Sequence, residues 1–172
     1  MPTKTKTAGP ESSLRKWLQK HMVGILEMTW HEDREINPGV PDLSYVVKPG
    51  NFETGWLELK AVLPSPAVCR ARREVSPIGF MLTDSSEKIK FEIEPSQHEW
   101  MSNHAARVPC HFLLGYGEWY FLLDAKYHRL LVVSQTIHYL RHLSVMFCHE
   151  SELRVKLAHE LAELTDRYRH VE

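Results

Sequence analysis

The sequence contains too few cysteines, too widely scattered, to be held together by disulfides. There are three, Cys69, Cys110 and Cys148, an odd number with no Cys-x-x-Cys pair. This pattern argues against a disulfide framework and against a structural zinc site. We expect a protein of a reducing compartment, the cytoplasm of a bacterial or phage-infected cell.

Long apolar runs and an excess of charge of one sign are also missing. No apolar stretch approaches the roughly 20 residues that span a bilayer, so we expect neither a membrane anchor nor secretion. The formal net charge is -1 with the histidines neutral. Affinity for nucleic acid must therefore come from a local basic patch and not from the field of the whole molecule.

Several catalytic motifs are absent as well. The chain has no Gly-x-Ser-x-Gly, no Gly-x-x-x-x-Gly-Lys-Ser/Thr and no Gly-x-Gly-x-x-Gly. Its histidines do not form His-Glu-x-x-His or another paired ligand spacing, and we assign them no role. These absences argue against serine hydrolase and phosphate-loop functions.

What is present is typical of one globular domain, since 43% of the 172 residues are hydrophobic and 25% are charged. Apolar residues at helical spacing predict a first helix from Glu11 to about Ile25. Two β runs, Leu43–Val47 and Trp56–Val62, are separated by turn residues and predict a hairpin. The polar residues 1–10 are expected to form a flexible tail.

The remaining patterns predict alternating strands and helices. They indicate strands at 88–93, 112–116, 119–123 and 130–133, and helices at 95–107, 134–145 and 151–168. The order predicts an α/β fold with a mixed central β-sheet flanked by helices. We expect a core at 11–133, with an insertion or loop at 63–90, and a C-terminal helical extension at 134–172 packed on it. The leucine stripe of the last helix is either cover for the core or a dimer interface.

The most informative residues are Asp42, at the start of the first β run, and Glu58 and Lys60 on the second. Alternate residues of a strand share a face, so Glu58 and Lys60 lie side by side. If Asp42 begins the neighbouring strand, its carboxylate meets that of Glu58. The two carboxylates and the backbone carbonyl of Leu59 are oxygen ligands of the kind that Mg²⁺ prefers.

A plain structural explanation of the same residues is also open. In that alternative, Glu58 and Lys60 are solvated charges on a half-exposed strand and Asp42 is an ordinary turn residue. In the chemical interpretation, Lys60 orients or deprotonates an attacking water, or neutralises charge that develops on phosphorus.

Gly39–Leu43 together with Trp56–Lys60 resembles the PD-(D/E)xK nuclease superfamily, most closely its VRR-NUC and Holliday junction resolvase-like groups. The resemblance implies a restriction-endonuclease-like fold. It also implies a DNA endonuclease that hydrolyses phosphodiester bonds with Mg²⁺ or Mn²⁺, at branched or Holliday junction DNA. Asp42 and Glu58 would bind the metal, and Lys60 would be catalytic.

Such families also carry a glutamate on the first helix and a glutamine on the helix after the Glu-x-Lys strand, which would match Glu11 and Gln97. An acidic residue at a helix start also has the simpler role of complementing the helix dipole. The resemblance covers about residues 11–123 and implies a homodimer, because two DNA strands must be cut. A non-catalytic DNA-binding or assembly subunit with the same fold is the alternative, and the near-zero net charge favours it.

A cluster of arginines supplies the candidate basic patch. Arg70, Arg72 and Arg73 fall in the expected insertion beside the candidate site. They would contact phosphates of bound DNA. An ordinary solvated loop is an equally good explanation of the same three residues.

Overall fold

The structure is a computed structural model that describes residues 9–31, 39–48, 54–65 and 87–169. Its helices are α1 (Pro10–His21), α2 (Pro95–His104), α3 (Ile137–Leu143), α4 (Glu150–Arg169) and a 3₁₀ helix (Ala125–Val132). Its strands are β1 (Leu26–Trp30), β2 (Leu43–Val47), β3 (Thr54–Val62), β4 (Lys88–Ile89), β5 (Cys110–Tyr116), β6 (Trp119–Asp124), β7 (Gln135–Thr136) and β8 (Met146–His149). No helix among these residues is long and apolar enough to cross a membrane.

Six strands form one mixed sheet in the order β1-β2-β3-β5-β6-β8. β3 and β5 run parallel, and every other neighbouring pair in this sheet is antiparallel. β4 and β7 form a separate two-stranded sheet. The α/β class with a mixed central sheet is therefore confirmed.

Helices cover both faces of the central sheet. On one face, Phe112 and Leu114 of β5 pack with α2, the 3₁₀ helix and α3. On the other face, Leu113 packs with Leu59 of β3 and with α1 and α4. Side chains alternate between the faces along each strand, so both clusters draw on the same strands. Any polar side chain in the middle of this sheet is consequently removed from water.

The predicted hairpin is confirmed, because β2 pairs with β3 in an antiparallel register. The leucine stripe of α4 is cover for the core. All four of its leucines are buried in the second cluster: Leu153, Leu157, Leu161 and Leu164.

Two strands of the central sheet were not predicted. β1 was missed because Ile25 continues the helical spacing of α1, whereas the helix ends at His21 and Leu26–Trp30 forms a strand. β8 was missed because it is only four residues long and lies between the helices predicted at 134–145 and 151–168. Short edge segments of this kind are specified mainly by the neighbour with which they pair.

The strand predicted at 130–133 is wrong, because these residues end a 3₁₀ helix. The Asp124 side chain accepts a hydrogen bond from the backbone N–H of Lys126 and caps that helix. Only Leu131 of the apolar run is buried, while Val132 and Val133 are 52% and 61% exposed. The predicted strand at 88–93 shortens to β4, and the helix predicted at 134–145 shortens to α3.

Several expectations lie outside the described residues. These are the tail at 1–8, the greater part of the predicted insertion at 66–86, and with it Arg70, Arg72 and Arg73. The expected boundary at residue 133 stays a prediction.

Candidate functional site

The register of β2 and β3 places Asp42 beside Glu58. Leu43 is opposite Leu57, so the residue before β2 lies level with Glu58. The Asp42 N–H donates a hydrogen bond to Glu58 Oε2 at 3.2 Å. In turn, the Leu59 N–H donates to Asp42 Oδ2 at 2.8 Å. Each carboxylate is therefore oriented by the backbone of the opposite strand.

The second oxygen of Glu58 is bound by two further side chains. Lys60 Nζ lies 3.0 Å from Glu58 Oε1, and the side-chain amide of Gln97 donates a hydrogen bond to the same oxygen. Glu58 is 0% exposed and Lys60 is 4% exposed. The alternative of solvated charges on a half-exposed strand is therefore wrong, because α2 covers this face of the sheet.

Gln97 is oriented by the start of α2. The helix has a capping box in which the Glu94 side chain accepts from the backbone of Gln97. The Gln97 Oε1 atom accepts from the Glu94 N–H at 3.0 Å. This leaves the amide nitrogen to point at Glu58, so a local capping motif fixes a contact between residues distant in sequence.

Gly39 allows the chain before Asp42 to pack on the start of α2. Its φ angle is 84°, in the left-handed region that favours glycine. A Cβ atom at this position would lie 2.1 Å from the backbone oxygen of Ser96. The glycine therefore allows the chain that leads to Asp42 to contact the start of the helix that carries Gln97.

Glu11 faces the same site from α1. A cavity of about 210 Å³ is lined by Glu11, Ser12, Arg15, Asp42 and Leu59. Sequence reasoning missed Arg15, which follows Glu11 by one helical turn and shares its helix face. The cavity thus brings Glu11 of α1 and Asp42, which precedes β2, close to Leu59 of β3.

Burial and the nearby Asp42 carboxylate raise the pKa of Glu58 to about 7, although Lys60 acts in the opposite direction. Two carboxylates that repel each other at short range favour an added cation. The donors are hard oxygen atoms of the type that bind Mg²⁺, which usually takes one or two protein carboxylates and keeps several waters. No cluster of three or more His, Cys, Asp or Glu side chains that could hold a metal occurs among the described residues. The donor set fits a hydrated Mg²⁺ or Mn²⁺ better than a fully protein-ligated ion.

A row of aromatic rings flanks Glu58 on its own face of the sheet. A hydrogen bond of 3.1 Å joins His31 Nε2 to Ser44 Oγ. The His31 ring also stacks on the Trp56 ring, with ring centroids 5.0 Å apart. Trp56 contacts Trp100 at 5.3 Å, and Trp100 stacks on His104 at 4.2 Å. This row joins the end of β1 to β3 and α2, and sequence reasoning gave it no role.

The structure thus brings Asp42, Glu58, Lys60 and Gln97 into one network and places Glu11 on the adjoining cavity. The metal and catalytic roles expected for these residues stay predictions. No model of a protein family matches the chain, and no curated protein or solved structure shows significant similarity to it.

Proposed function

We propose that this protein is a metal-dependent nuclease of the PD-(D/E)xK type that hydrolyses phosphodiester bonds of DNA. The observation that carries the proposal is the meeting of Asp42 and Glu58 across the β2–β3 register, with Lys60 Nζ 3.0 Å from Glu58. A general structural role does not require a buried glutamate and a buried lysine beside a second carboxylate, because such charges are costly to remove from water.

Each residue of the candidate site has a different role in the proposed reaction. Asp42 and Glu58, with the carbonyl of Leu59, would hold Mg²⁺ or Mn²⁺. When bound, the ion stabilises charge on the phosphate and eases deprotonation of water. Water attacks phosphorus and one P–O ester bond breaks, which leaves a phosphate end and a hydroxyl end. Lys60 places an ammonium where negative charge develops, and Gln97 holds Glu58 in position.

The finer parts of the proposal rest on the resemblance described above. They are a restriction-endonuclease-like fold, branched or Holliday junction DNA as substrate, and a homodimer that cuts two strands. The mixed central sheet with helices on both faces supports the proposed fold. Symmetric pairing is also the commonest form of oligomer.

Removing either carboxylate tests the proposal. We expect Asp42→Asn and Glu58→Gln to reduce cleavage of duplex, flap and four-way junction DNA by about 10²-fold or more, since each removes charge that holds the cation. Glu27→Gln, on an exposed position of β1, is the matched control and should cleave like the parent. Circular dichroism checks that all variants are folded. Parental rates for both site variants at saturating Mg²⁺ would contradict the proposal.

A non-catalytic DNA-binding or assembly subunit is the second candidate. It is favoured by one observation: Glu58 Oε1 already has both Lys60 and Gln97 as partners, so the network is complete without a cation. Calorimetric titration with Mg²⁺ separates the two candidates. Heat of binding that Glu58→Gln abolishes supports the nuclease, and DNA binding without any metal binding supports the subunit.

A further inference from the structure

Arg15 of α1 lies at the candidate site, and the proposed reaction gives it no role. It lines the cavity of about 210 Å³ together with Glu11, Ser12, Asp42 and Leu59. Because Arg15 follows Glu11 by four residues, the two side chains share one face of the helix. The cavity therefore places a guanidinium beside the Asp42 carboxylate.

The strand register places Arg15 beside Asp42 independently of the cavity. Arg15 Cζ lies 4.3 Å from the centroid of the Trp30 ring. Trp30 is the last residue of β1 and is paired with Leu43. The next residue, His31, donates its N–H to the Asp42 carbonyl oxygen at 2.9 Å. Trp30 and Leu43 both pack in the core cluster on the α1 face of the sheet, so the stacked guanidinium lies on that face and next to Asp42.

The α1 face is also the side from which the site is accessible. Glu58 is 0% exposed beneath α2, whereas Asp42 is half-buried and lines the cavity. The Asp42 N–H donates to Glu58 Oε2 at 3.2 Å, and the Leu59 N–H donates to Asp42 Oδ2 at 2.8 Å. A ligand of the two carboxylates therefore reaches them through this cavity and passes Arg15.

Stacking on Trp30 prepares Arg15 to bind a phosphate group. Tryptophan is the aromatic side chain that attracts cations most strongly, and the planar guanidinium stacks well on its face. A stacked guanidinium keeps its N–H groups in its own plane, where they match two oxygens of one phosphate. Its five donors allow it to bind a phosphate and protein groups at the same time. The stack also restricts a long side chain whose freedom would otherwise be lost on binding.

The charges of the cavity fit a phosphodiester once a divalent cation is bound. Glu11 and Asp42 are acidic and Arg15 is cationic, so these side chains together carry one negative charge. With Mg²⁺ bound, the cavity would carry one positive charge, which balances the single negative charge of a phosphodiester. Without Arg15, a phosphate would face both carboxylates with no protein cation in the cavity lining to offset either.

We propose that Arg15 binds the phosphate group that is cleaved at Asp42, and that Trp30 is the positioning residue that orients its guanidinium. This inference deepens the proposed function, on which the choice of DNA as the ligand rests. The contact is to phosphate oxygens that stay bound to phosphorus throughout the reaction. Arg15 therefore stabilises the bound substrate and the transition state alike, which lowers KM and leaves kcat unchanged.

The first test measures binding of a labelled DNA duplex in EDTA, where no cleavage occurs. We expect Arg15→Ala to reduce the slope of log K against log salt concentration by about 1, the contribution of one phosphate contact. Arg15→Lys should keep the parental slope because it keeps the charge. It should still bind about ten-fold more weakly, since the paired hydrogen bonds are lost. Arg154→Ala, at an exposed arginine of α4, is the control and should behave like the parent.

The second test asks whether Trp30 acts through Arg15. Leucine keeps an apolar side chain at this position but removes the ring, so we expect Trp30→Leu to bind DNA about three-fold more weakly with a parental salt slope. In the Arg15→Ala background, the same substitution should not weaken binding further. A purely structural tryptophan would weaken binding equally in both backgrounds. Circular dichroism checks the fold, and Arg15→Lys tests the orientation of the cation if Trp30→Leu does not fold.

The third test separates the role of Arg15 from that of Lys60. In Mg²⁺, Arg15→Ala should raise KM for DNA cleavage about ten-fold with kcat near the parental value, because uniform binding is lost. A fall in kcat at unchanged KM would place Arg15 in the chemical step and overturn its assignment as a binding residue.

The outcomes also separate this inference from the proposed function. A parental salt slope for Arg15→Ala, or an equal loss of slope in Arg154→Ala, overturns the inference even if Glu58→Gln abolishes cleavage. A loss of slope confined to Arg15→Ala supports it even if the parent does not cleave DNA with Mg²⁺, a result that overturns only the proposed reaction. A parent that binds no DNA overturns both.

Discussion

At the scale of single residues, Lys60 lies in an environment that is unusual for its type. Lysine is almost never fully buried unless it is paired, and Lys60 is 4% exposed with Glu58 as its partner. The pair carries no net charge, but Asp42 adds a second carboxylate beside it. A cation at the two carboxylates would balance that excess and leave the ammonium available to substrate.

We therefore expect the Lys60→Met variant to cleave DNA slowly but still to bind metal. Methionine keeps the length and packing of the side chain while removing the charge, so Asp42 and Glu58 remain in place. We expect the single-turnover cleavage rate to fall by about 10² to 10³, the usual effect of losing one preorganised electrostatic group. Calorimetry should give near-parental Mg²⁺ affinity.

An exposed lysine on β4 provides the control for this experiment. Lys88→Met should cleave like the parent because Lys88 is accessible to solvent and surface substitutions have small effects. Lys60→Ala should behave like Lys60→Met in rate, with an additional loss of stability from the cavity that it leaves. A parental cleavage rate for Lys60→Met would show that Lys60 has no role in the chemical step.

At the scale of elements, the site depends on contacts between segments that are far apart in sequence. The chain before β2 supplies Asp42, β3 supplies Glu58, and the capped end of α2 supplies Gln97. Gly39 is where the first and last of these segments touch. The Gly39 contact therefore adds a close backbone approach to the hydrogen bonds that Asp42 and Gln97 each make to Glu58.

Substitution of Gly39 should consequently disturb both stability and the site. Gly39→Ala places a side chain in a left-handed conformation and against the Ser96 carbonyl, so we expect a loss of about 1–3 kcal/mol in the free energy of unfolding. Cleavage at a temperature where the protein stays folded should also fall, because Gln97 moves relative to Glu58. Gly24→Ala is the control, since a Cβ there meets nothing within 4 Å. Urea unfolding gives the stabilities, and equal values for the two variants would refute the packing role of Gly39.

At the scale of the whole molecule, two buried titratable groups shape the dependence of stability on pH. His111 is fully buried, and neither ring nitrogen has a hydrogen-bond partner among the described residues. Burial lowers its pKa to about 4, whereas burial and Asp42 raise the pKa of Glu58 to about 7. The unfolded chain therefore binds the His111 proton more readily than the folded one, and the Glu58 proton less readily.

The two groups should act in opposite directions over nearly the same pH range in the metal-free protein. His111 lowers stability as the pH falls below about 6.5 towards about 4, and Glu58 lowers it as the pH rises from about 4.5 to about 7, so the two effects largely cancel between about pH 4.5 and 6.5. We expect His111→Leu to leave a stability that falls as the pH rises towards about 7, and Glu58→Gln to leave a stability that increases with pH up to about 6.5. Urea unfolding in EDTA over this pH range measures both effects. Curves that stay parallel to the parental curve would show that neither group titrates differently on folding.

The sequence by itself determined the local parts of this protein. The alternation of side chains predicted that Glu58 and Lys60 share a face of β3, and the turn residues predicted the β2–β3 hairpin that brings Asp42 to them. The leucine spacing predicted α4. These features depend on periodicity and on neighbours a few residues away, which a sequence contains in full.

Only the tertiary structure decided the environment of those parts. The burial of Glu58 depends on α2 covering its face of the sheet, and residues 125–132 form a 3₁₀ helix capped by Asp124 where the apolar run predicted a strand. β1 and β8 form strands because they pair with β2 and β6, their neighbours in the sheet. Burial, strand pairing and cavities depend on contacts between residues that are far apart in the chain. Hydrophobic periodicity does not tell which distant segments will contact each other.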